Sequence, residues 1–474
     1  MTTSGSESSF LFADLYELTM ACGYWKSGRA EREAVFHLTF RENPFGGGFS
    51  IACGLTQVLD LLKEFRLSAS DQDYLASLKG NDQKPLFPSE FLDYLSAMRI
   101  RCDIDAVPEG TAVFPQEPLI RVKGPLAEAQ ILESLLLNII NFQTLIATKG
   151  ARLAIASQER NVLEFGLRRA QGINGSLAAS RAAYVGGCDG TSNTLAGKLY
   201  GIPTVGTHAH SWVMSFETEQ EAFDTYAEVF PNNTIFLVDT YDTREGVSRV
   251  IKTAQRMRTK GCEPIGVRLD SGDLRELSLE VRRQLDDAGF PEIKIVASGD
   301  LDEYSVTKLI KDEVPIDAFG VGTRLVTAYD DPALGGVYKL SAMEDKRGQR
   351  CPKVKISNDP VKISNPGCLQ FRRFSRRGKF VGDIIHDEKA PPRLEMSDGL
   401  YDHVDDILVP ILRSGSKVYE TPSLEQSRQR AIEQLASLSE GVKSFSEPEI
   451  YPVQLENGLA SCKEEMVRKI QNEW

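Results

Sequence analysis

Cysteine is scarce in this chain and never paired in sequence. Eight occur in 474 residues, at 22, 53, 102, 188, 262, 351, 368 and 462, with no Cys-x-x-Cys spacing. That pattern argues against a disulfide framework or a zinc ribbon and fits a reducing cytoplasm. A basic excess is missing as well: 55 Lys and Arg face 67 Asp and Glu, a formal net charge of −12. Polyanion-binding surfaces carry a net basic field, so no nucleic-acid partner is expected. Small anions are still allowed, because the local field of a pocket can oppose the net charge. The N-terminal MTTSGSESSF has neither the basic start nor the apolar core of a secretory leader. A long clean apolar run is also lacking. The longest stretch, 131–147, contains Glu133, Asn138, Asn141 and Gln143, which would be costly in lipid. A buried helix is the expectation there, and no membrane association.

What the chain does have is the composition of a folded protein, with 41% apolar and 26% charged residues. Its length predicts two to four domains. Residues 1–140 mix short helical and strand-like pieces with turn clusters such as Asn43–Gly48, and read as an N-terminal α/β domain. Residues 141–349 alternate apolar strand, polar tip and amphipathic helix. Residues 350–474 form an irregular C-terminal region with a helical tail at 422–444, and 350–420 is a candidate to complete the N-terminal domain. Strands are expected at 161–165, 202–207, 234–239, 264–270, 293–298 and 316–321. Leu274, Leu277, Val281 and Leu285 share one helical face that stops at Gly289, and Val247 to Met257 do the same before Gly261. Strand–helix units of this length imply parallel strands with crossover helices. Polar tips on five successive strands favour an irregular, TIM-like β/α barrel, whose active face is built from the C-terminal strand ends.

Six strand tips carry candidate chemistry. Ser298-Gly299-Asp300 and Gly320-Val321-Gly322-Thr323 bring backbone N–H groups close enough to cradle a phosphate, or are ordinary tight turns. Arg268 and Asp270 lie two residues apart on one side of a strand end, suited to an anion and to ribose hydroxyls. Asp273 is the better helix cap in that string. His208 and His210 form a His-x-His at a strand tip. Later ligands for zinc are lacking, so the choice is between a nucleophilic or acid–base histidine and an inert solvated pair. Glu164-Phe165-Gly166-Leu167-Arg168-Arg169 offers an aromatic to stack on a planar ring and two arginines for anions, or a core aromatic and a surface pair. Asp239 could orient a histidine, bind sugar or metal, or cap a helix. Taken together, these groups suit a phosphorylated-sugar substrate without naming a reaction.

Nine strings, in order, then carry a resemblance. They are residues 13–20 (ADLYELTM), 40–54 (FRENPFGGGFSIACG), 164–171 (EFGLRRAQ), 191–197 (TSNTLAG), 206–211 (GTHAHS), 237–242 (LVDTYD), 266–274 (GVRLDSGDL), 320–327 (GVGTRLVT) and 334–340 (LGGVYKL). Over essentially its whole length the sequence resembles the nicotinate phosphoribosyltransferase family. The resemblance implies that nicotinate and phosphoribosyl pyrophosphate give nicotinate mononucleotide and pyrophosphate, for NAD salvage. It further implies coupling to ATP hydrolysis, with ATP as co-substrate, and Mg2+. The phosphorylated histidine of the family falls on His210, and His208 takes the variable position beside it. Phe165 and Tyr16 match the rings that sandwich the base, Tyr16 coming from a second subunit of a homodimer with shared active sites. Arg168, Arg169 and Arg268 would meet the anionic substrates, Ser192 in the TSN string would lie beside the carboxylated ring, and Asp270 would hold the ribose. Asp239 would sit near the histidine, with Ser298, Gly299, Gly320, Gly322 and Thr323 around the 5-phosphate. No metal ligand is assigned by the resemblance.

Overall fold

The six strands that matter for function form one sheet in chain positions 146–332, and all of them run parallel. The structure, a computed structural model, describes residues 9–359, 362–392 and 400–472. Residues 1–8, read above as lacking a leader, lie outside that range. The chain divides into two compact units, one of residues 1–145 with 333–474 and one of residues 146–332.

In the 146–332 unit the strand order is Gly190–Thr191, Asn161–Glu164, Ala318–Val321, Lys294–Ser298, Gly266–Leu269, Ile235–Leu237. Every pairing is parallel. The two central strands are buried on both faces: Ile295, Val296, Ala297 and Ser298 in one, and Ala318, Phe319 and Val321 in the other, are all buried. Continuous apolar runs of this kind are what a parallel sheet covered by helices requires. Five of the expected strands are present. The sixth, 202–207, is not a strand: it contributes a single bridge, Thr204 to Thr191. Pro203 has no N–H to give to a ladder, and only Val205 N–H and Pro203 C=O bond to Thr191. A two-residue strand, Gly190–Thr191, ends the sheet on that side. Among the described residues no pairing joins Gly190–Thr191 to Ile235–Leu237, so the array is an open half-barrel.

The connecting helices follow their sequence signals. Thr243–Thr259 buries Val247, Val250, Ala254 and Met257 and is followed by Gly261 at φ 78°. Leu274–Asp287 starts at Asp273, whose side chain accepts from the Arg275 and Glu276 N–H groups. Gly289, at φ 81°, follows its end.

The other unit is built on antiparallel pairing, with a seven-stranded sheet in which Glu33–Phe40 lies between Gly336–Glu344 and the central strand Ile120–Pro125. The region after 350 is less irregular than its sequence suggests. Leu369–Arg376 and Lys379–Asp387 pair over eight residues, flanked by His403–Asp406 and Val453–Leu455. Its inward positions are partly charged, which hid the alternation. Arg373 is 1% exposed and donates from Nη2 to Asp383 Oδ2 at 2.6 Å. The tail helix runs Leu424–Ser437, and a further helix, Asn457–Asn472, was not anticipated. One helical stretch, 126–157, is long and apolar enough to cross a membrane, but 67% of its most apolar window is buried inside the protein. It is a core helix.

Candidate active site

Because the strands are parallel, their C-terminal ends lie side by side, and side chains far apart in sequence meet there. Arg268 is the hub. It donates from Nε to Ser298 Oγ (2.8 Å), from Nη1 to Thr207 Oγ1 (3.3 Å) and from Nη2 to Asp270 Oδ1 (2.6 Å). The Ser298 hydroxyl in turn donates to Asp270 Oδ1 at 2.5 Å. A guanidinium carries five N–H groups, so after these three bonds two are left for a ligand. Its carbon lies 5.4 Å from the centre of the Phe165 ring.

Burial alone would raise the Asp270 pKa, but the Ser298 hydroxyl and the Arg268 guanidinium outweigh it and hold the group below the ordinary carboxylate range. Asp270 is therefore an anion at neutral pH. Asp239 supports it from the next strand, its Oδ2 accepting from the Asp270 N–H (3.1 Å) and the Ser271 hydroxyl (2.5 Å). Asp239 Oδ1 is buried without a hydrogen-bond partner. Asp239 is not a helix cap, because Asp242 fills that role by accepting from the Glu245 N–H.

The two histidines separate cleanly. His208 is 7% exposed and packed against Phe223, Tyr226 and Phe236. Its Nε2 accepts from the Leu237 N–H at 3.2 Å, on a strand at the open edge of the sheet. Burial lowers its pKa to about 4, so it is neutral and structural. His210 begins the short helix His210–Met214 and its side chain is 42% exposed. Its Nδ1 lies 3.2 Å from Thr240 Oγ1, and its Nε2 lies 3.9 Å from Asp270 Oδ2.

The glycines at the tips make room rather than merely turning the chain. A Cβ on Gly320 would stand 2.5 Å from the Phe165 ring, and one on Gly299 would stand 2.2 Å from the Asp270 carbonyl oxygen. Gly322 packs on the Phe165 backbone, and Thr323 opens the short helix Thr323–Val326. Phe165 is half-buried and held against this wall. Arg168 and Arg169 lie on the following 3-10 turn, exposed, and neither guanidinium has a partner among the described residues. Ser192 donates its N–H to the Glu164 carbonyl at 2.9 Å. Tyr16 belongs to the other unit, on helix Leu15–Lys26, where it is exposed.

Four further residues escaped sequence reasoning. Thr207, Thr240 and Ser271 each lie inside a quoted string and gain meaning only from lateral pairing. Glu164 is the fourth: fully buried, it accepts from the Gly166 N–H, the Ser180 hydroxyl (2.8 Å) and the Thr191 hydroxyl (2.5 Å), tying the Phe165 tip to its neighbour. A lone Glu closing an apolar strand was the available signal.

Comparison with known proteins agrees with this geometry. Family models of nicotinate phosphoribosyltransferase match in three pieces: the N-terminal domain on residues 11–141, the family's central model on 161–364 and the C-terminal domain on 370–463. The nicotinate phosphoribosyltransferase of Bacillus subtilis is 38% identical over 98% of this chain and 96% of its own length. That of Bos taurus is 35% identical over 95% of each. The crystal structure of human nicotinic acid phosphoribosyltransferase matches with a TM-score of 0.83 at 31% identity, covering 95% of this chain and 99% of that one. With its motifs, its parallel half-barrel and these relatives in agreement from end to end, the chain belongs to the nicotinate phosphoribosyltransferase family of enzymes.

Proposed function

We propose that this enzyme transfers the phosphoribosyl group of 5-phosphoribosyl 1-pyrophosphate to nicotinate, coupled to ATP hydrolysis through a phosphate carried on His210. The observation that supports it most is the cluster of Arg268, Asp270 and Ser298 at the C-terminal ends of parallel strands, with His210, at the start of a short helix, 3.9 Å from Asp270. In this reading the open six-stranded array is the working face of an irregular, TIM-like barrel.

The ring nitrogen of nicotinate forms a bond to ribose C1 while the C1–oxygen bond to pyrophosphate breaks, the electron pair leaving with pyrophosphate. Positive charge builds on the ribose, so positioning and charge complementarity do most of the work. Asp270, held ionised, takes the ribose hydroxyls and faces that charge. Phe165 gives the base a flat surface. Ser192, the two spare N–H groups of Arg268, and Arg168 with Arg169 would meet the nicotinate carboxylate and the pyrophosphate. Ser298, Gly299, Gly320, Gly322 and Thr323 would enclose the 5-phosphate.

Among the described residues no group of three metal-ligating side chains occurs. Magnesium commonly rests on one or two carboxylates and on substrate phosphates. Asp239, with its unpartnered buried Oδ1, and Asp270 fit that role. Bound there, Mg2+ would supply neutralising charge for pyrophosphate.

Phosphoryl transfer from ATP forms an N–P bond at the His210 ring, breaks the β–γ P–O bond and releases ADP. It adds roughly −1.5 to −2 charge beside Asp270 until water cleaves the N–P bond and inorganic phosphate leaves. Such a change would alter affinities across the cycle, which is how hydrolysis drives transfer. Phe12, Leu15, Tyr16 and Met20 form an exposed apolar stripe around the N-terminal helix, which suits a homodimer in which Tyr16 completes the partner's base site. A cytoplasmic location completes the proposal. The test is product formation from nicotinate and from nicotinamide, with and without ATP. Nicotinate should be preferred and ATP should stimulate; equal or better use of nicotinamide would sink the substrate assignment.

A further inference from the structure

Unit 146–332 holds a chain of alternating charges, buried at Arg152, Glu303 and Lys149 and open to solvent at Asp300, that none of the chemistry above uses. Arg152 donates from Nε to Glu303 Oε1 at 2.7 Å. Glu303 Oε2 lies 2.7 Å from Lys149 Nζ, and Lys149 Nζ also donates to Asp330 Oδ2 at 2.7 Å. Asp330 Oδ1 accepts from Arg324 Nη1 at 3.2 Å, and Arg324 Nη2 reaches Asp300 Oδ2 at 3.7 Å. Three cations alternate with three carboxylates. The Lys149 and Glu303 side chains are 0% exposed, and that of Arg152 is 1% exposed.

The chain of charges closes on itself through the backbone. Asp300 and Glu303 flank the tip that follows Lys294–Ser298, while Arg324 and Asp330 follow the tip of Ala318–Val321. Lys149 comes from neither tip; it projects from helix Glu133–Ser157 and binds a carboxylate of each. The first tip needs such support. Gly299 sits at φ 103° and Asp300 at φ 53°, two successive left-handed residues of which the second is not glycine. Conformations of that kind persist where the surroundings over-determine them. Fully buried ions cost desolvation and are weak stabilisers overall, so their value lies more in geometry than in stability.

We propose that Lys149, bridging Glu303 and Asp330, is a positioning residue that sets the spacing of the two glycine tips and thereby the affinity of the phosphate cradle they form. The inference rests on the reading of those tips as the 5-phosphate site. Lys149 touches no substrate in this scheme, so its loss should act through phosphate binding alone.

The test compares Lys149→Met, Asp330→Asn and Thr323→Val in the full-length enzyme. The readouts are KM for phosphoribosyl pyrophosphate, KM for nicotinate, kcat, and competitive inhibition by ribose 5-phosphate. Lys149→Met should raise the KM for phosphoribosyl pyrophosphate and the inhibition constant of ribose 5-phosphate by about tenfold, leaving the KM for nicotinate and kcat within about threefold. Asp330→Asn, at a partly exposed position, should move the same two constants by about threefold and decides the matter if Lys149→Met does not fold. Thr323→Val probes the cradle itself and should also weaken ribose 5-phosphate. If Thr323→Val weakens it while folded Lys149→Met and Asp330→Asn leave it unchanged, the positioning role is wrong and the cradle stands. If Thr323→Val has no effect, the cradle reading fails and the inference with it. A parallel fall in kcat and rise in both KM values for Lys149→Met would mark a general structural role and overturn the proposal.

Discussion

At the scale of single residues, the two histidines of one five-residue string have opposite fates because their surroundings differ. His208 has lost its solvent and given its lone pair to a backbone N–H, whereas His210 stands half-exposed between Thr240 and an anionic Asp270. ATP should therefore label the enzyme with an acid-labile phosphate that disappears in His210→Ala and persists in His208→Gln. Label that survives His210→Ala and vanishes in His208→Gln would reverse the assignment. Arg268 uses three of its donors in a fixed fork, a geometry that a lysine cannot copy. Arg268→Lys should lower kcat/KM by about two orders of magnitude, measured by steady-state kinetics. In the sequence, Arg268, Asp270 and His210 were legible as candidates. Their partners Thr207 and Thr240 were not, because an unremarkable threonine becomes significant only when another strand delivers a ring or a guanidinium to it.

At the scale of elements, caps and stops were readable because each is written within a few residues. Asp273 was expected to cap Leu274–Asp287 and does so through two backbone N–H groups. Asp273→Ala should cost about 1 kcal/mol in urea unfolding with kcat unchanged; a large loss of activity would show Asp273 to be part of the site. Gly320 belongs to this scale as well, since its missing Cβ is what lets the strand Ala318–Val321 lie against the Phe165 ring. Gly320→Ala should push that ring aside and raise the KM for nicotinate by about tenfold, checked in the same kinetic assay. Two elements misled the reading. The run 202–207 looked like a strand but holds a proline and makes one bridge, and the region after 350 looked irregular because Arg373 takes a core-facing place beside Asp383.

At the scale of the whole molecule, protonation and assembly are the testable properties. Burial lowers His37 to about 3 and His208 to about 4, against about 6.5 in the unfolded chain. Below pH 6.5 the unfolded chain binds more protons at these sites. The stability they contribute is whole above 6.5 and is lost as pH falls toward 4 and then 3. Glu17, pushed by burial to about 7, has the opposite sign: its contribution is complete below its unfolded value and is lost as pH rises through 7. His208→Gln should therefore flatten the stability profile between pH 6.5 and 4 by up to one proton, about 1.4 kcal/mol per pH unit, read from urea midpoints. For assembly, mixing inactive Tyr16→Ala and His210→Ala protomers under exchange conditions should restore activity to mixed dimers. Mixtures no more active than either parent would refute a shared site.

The sequence by itself determined the family, the alternation of strand and helix, the helix caps and which tips carry polar chemistry. Each of these is encoded by neighbours within one turn or one strand, or by strings whose order needs no folding. The tertiary structure alone decided which histidine faces Asp270, that Arg268 is the hub, and that Lys149 joins two tips. Those facts depend on lateral strand order, which sets residues about thirty apart within bonding distance, as with Arg268 and Ser298. They also depend on burial, which fixes a histidine's charge by how much water its packing leaves.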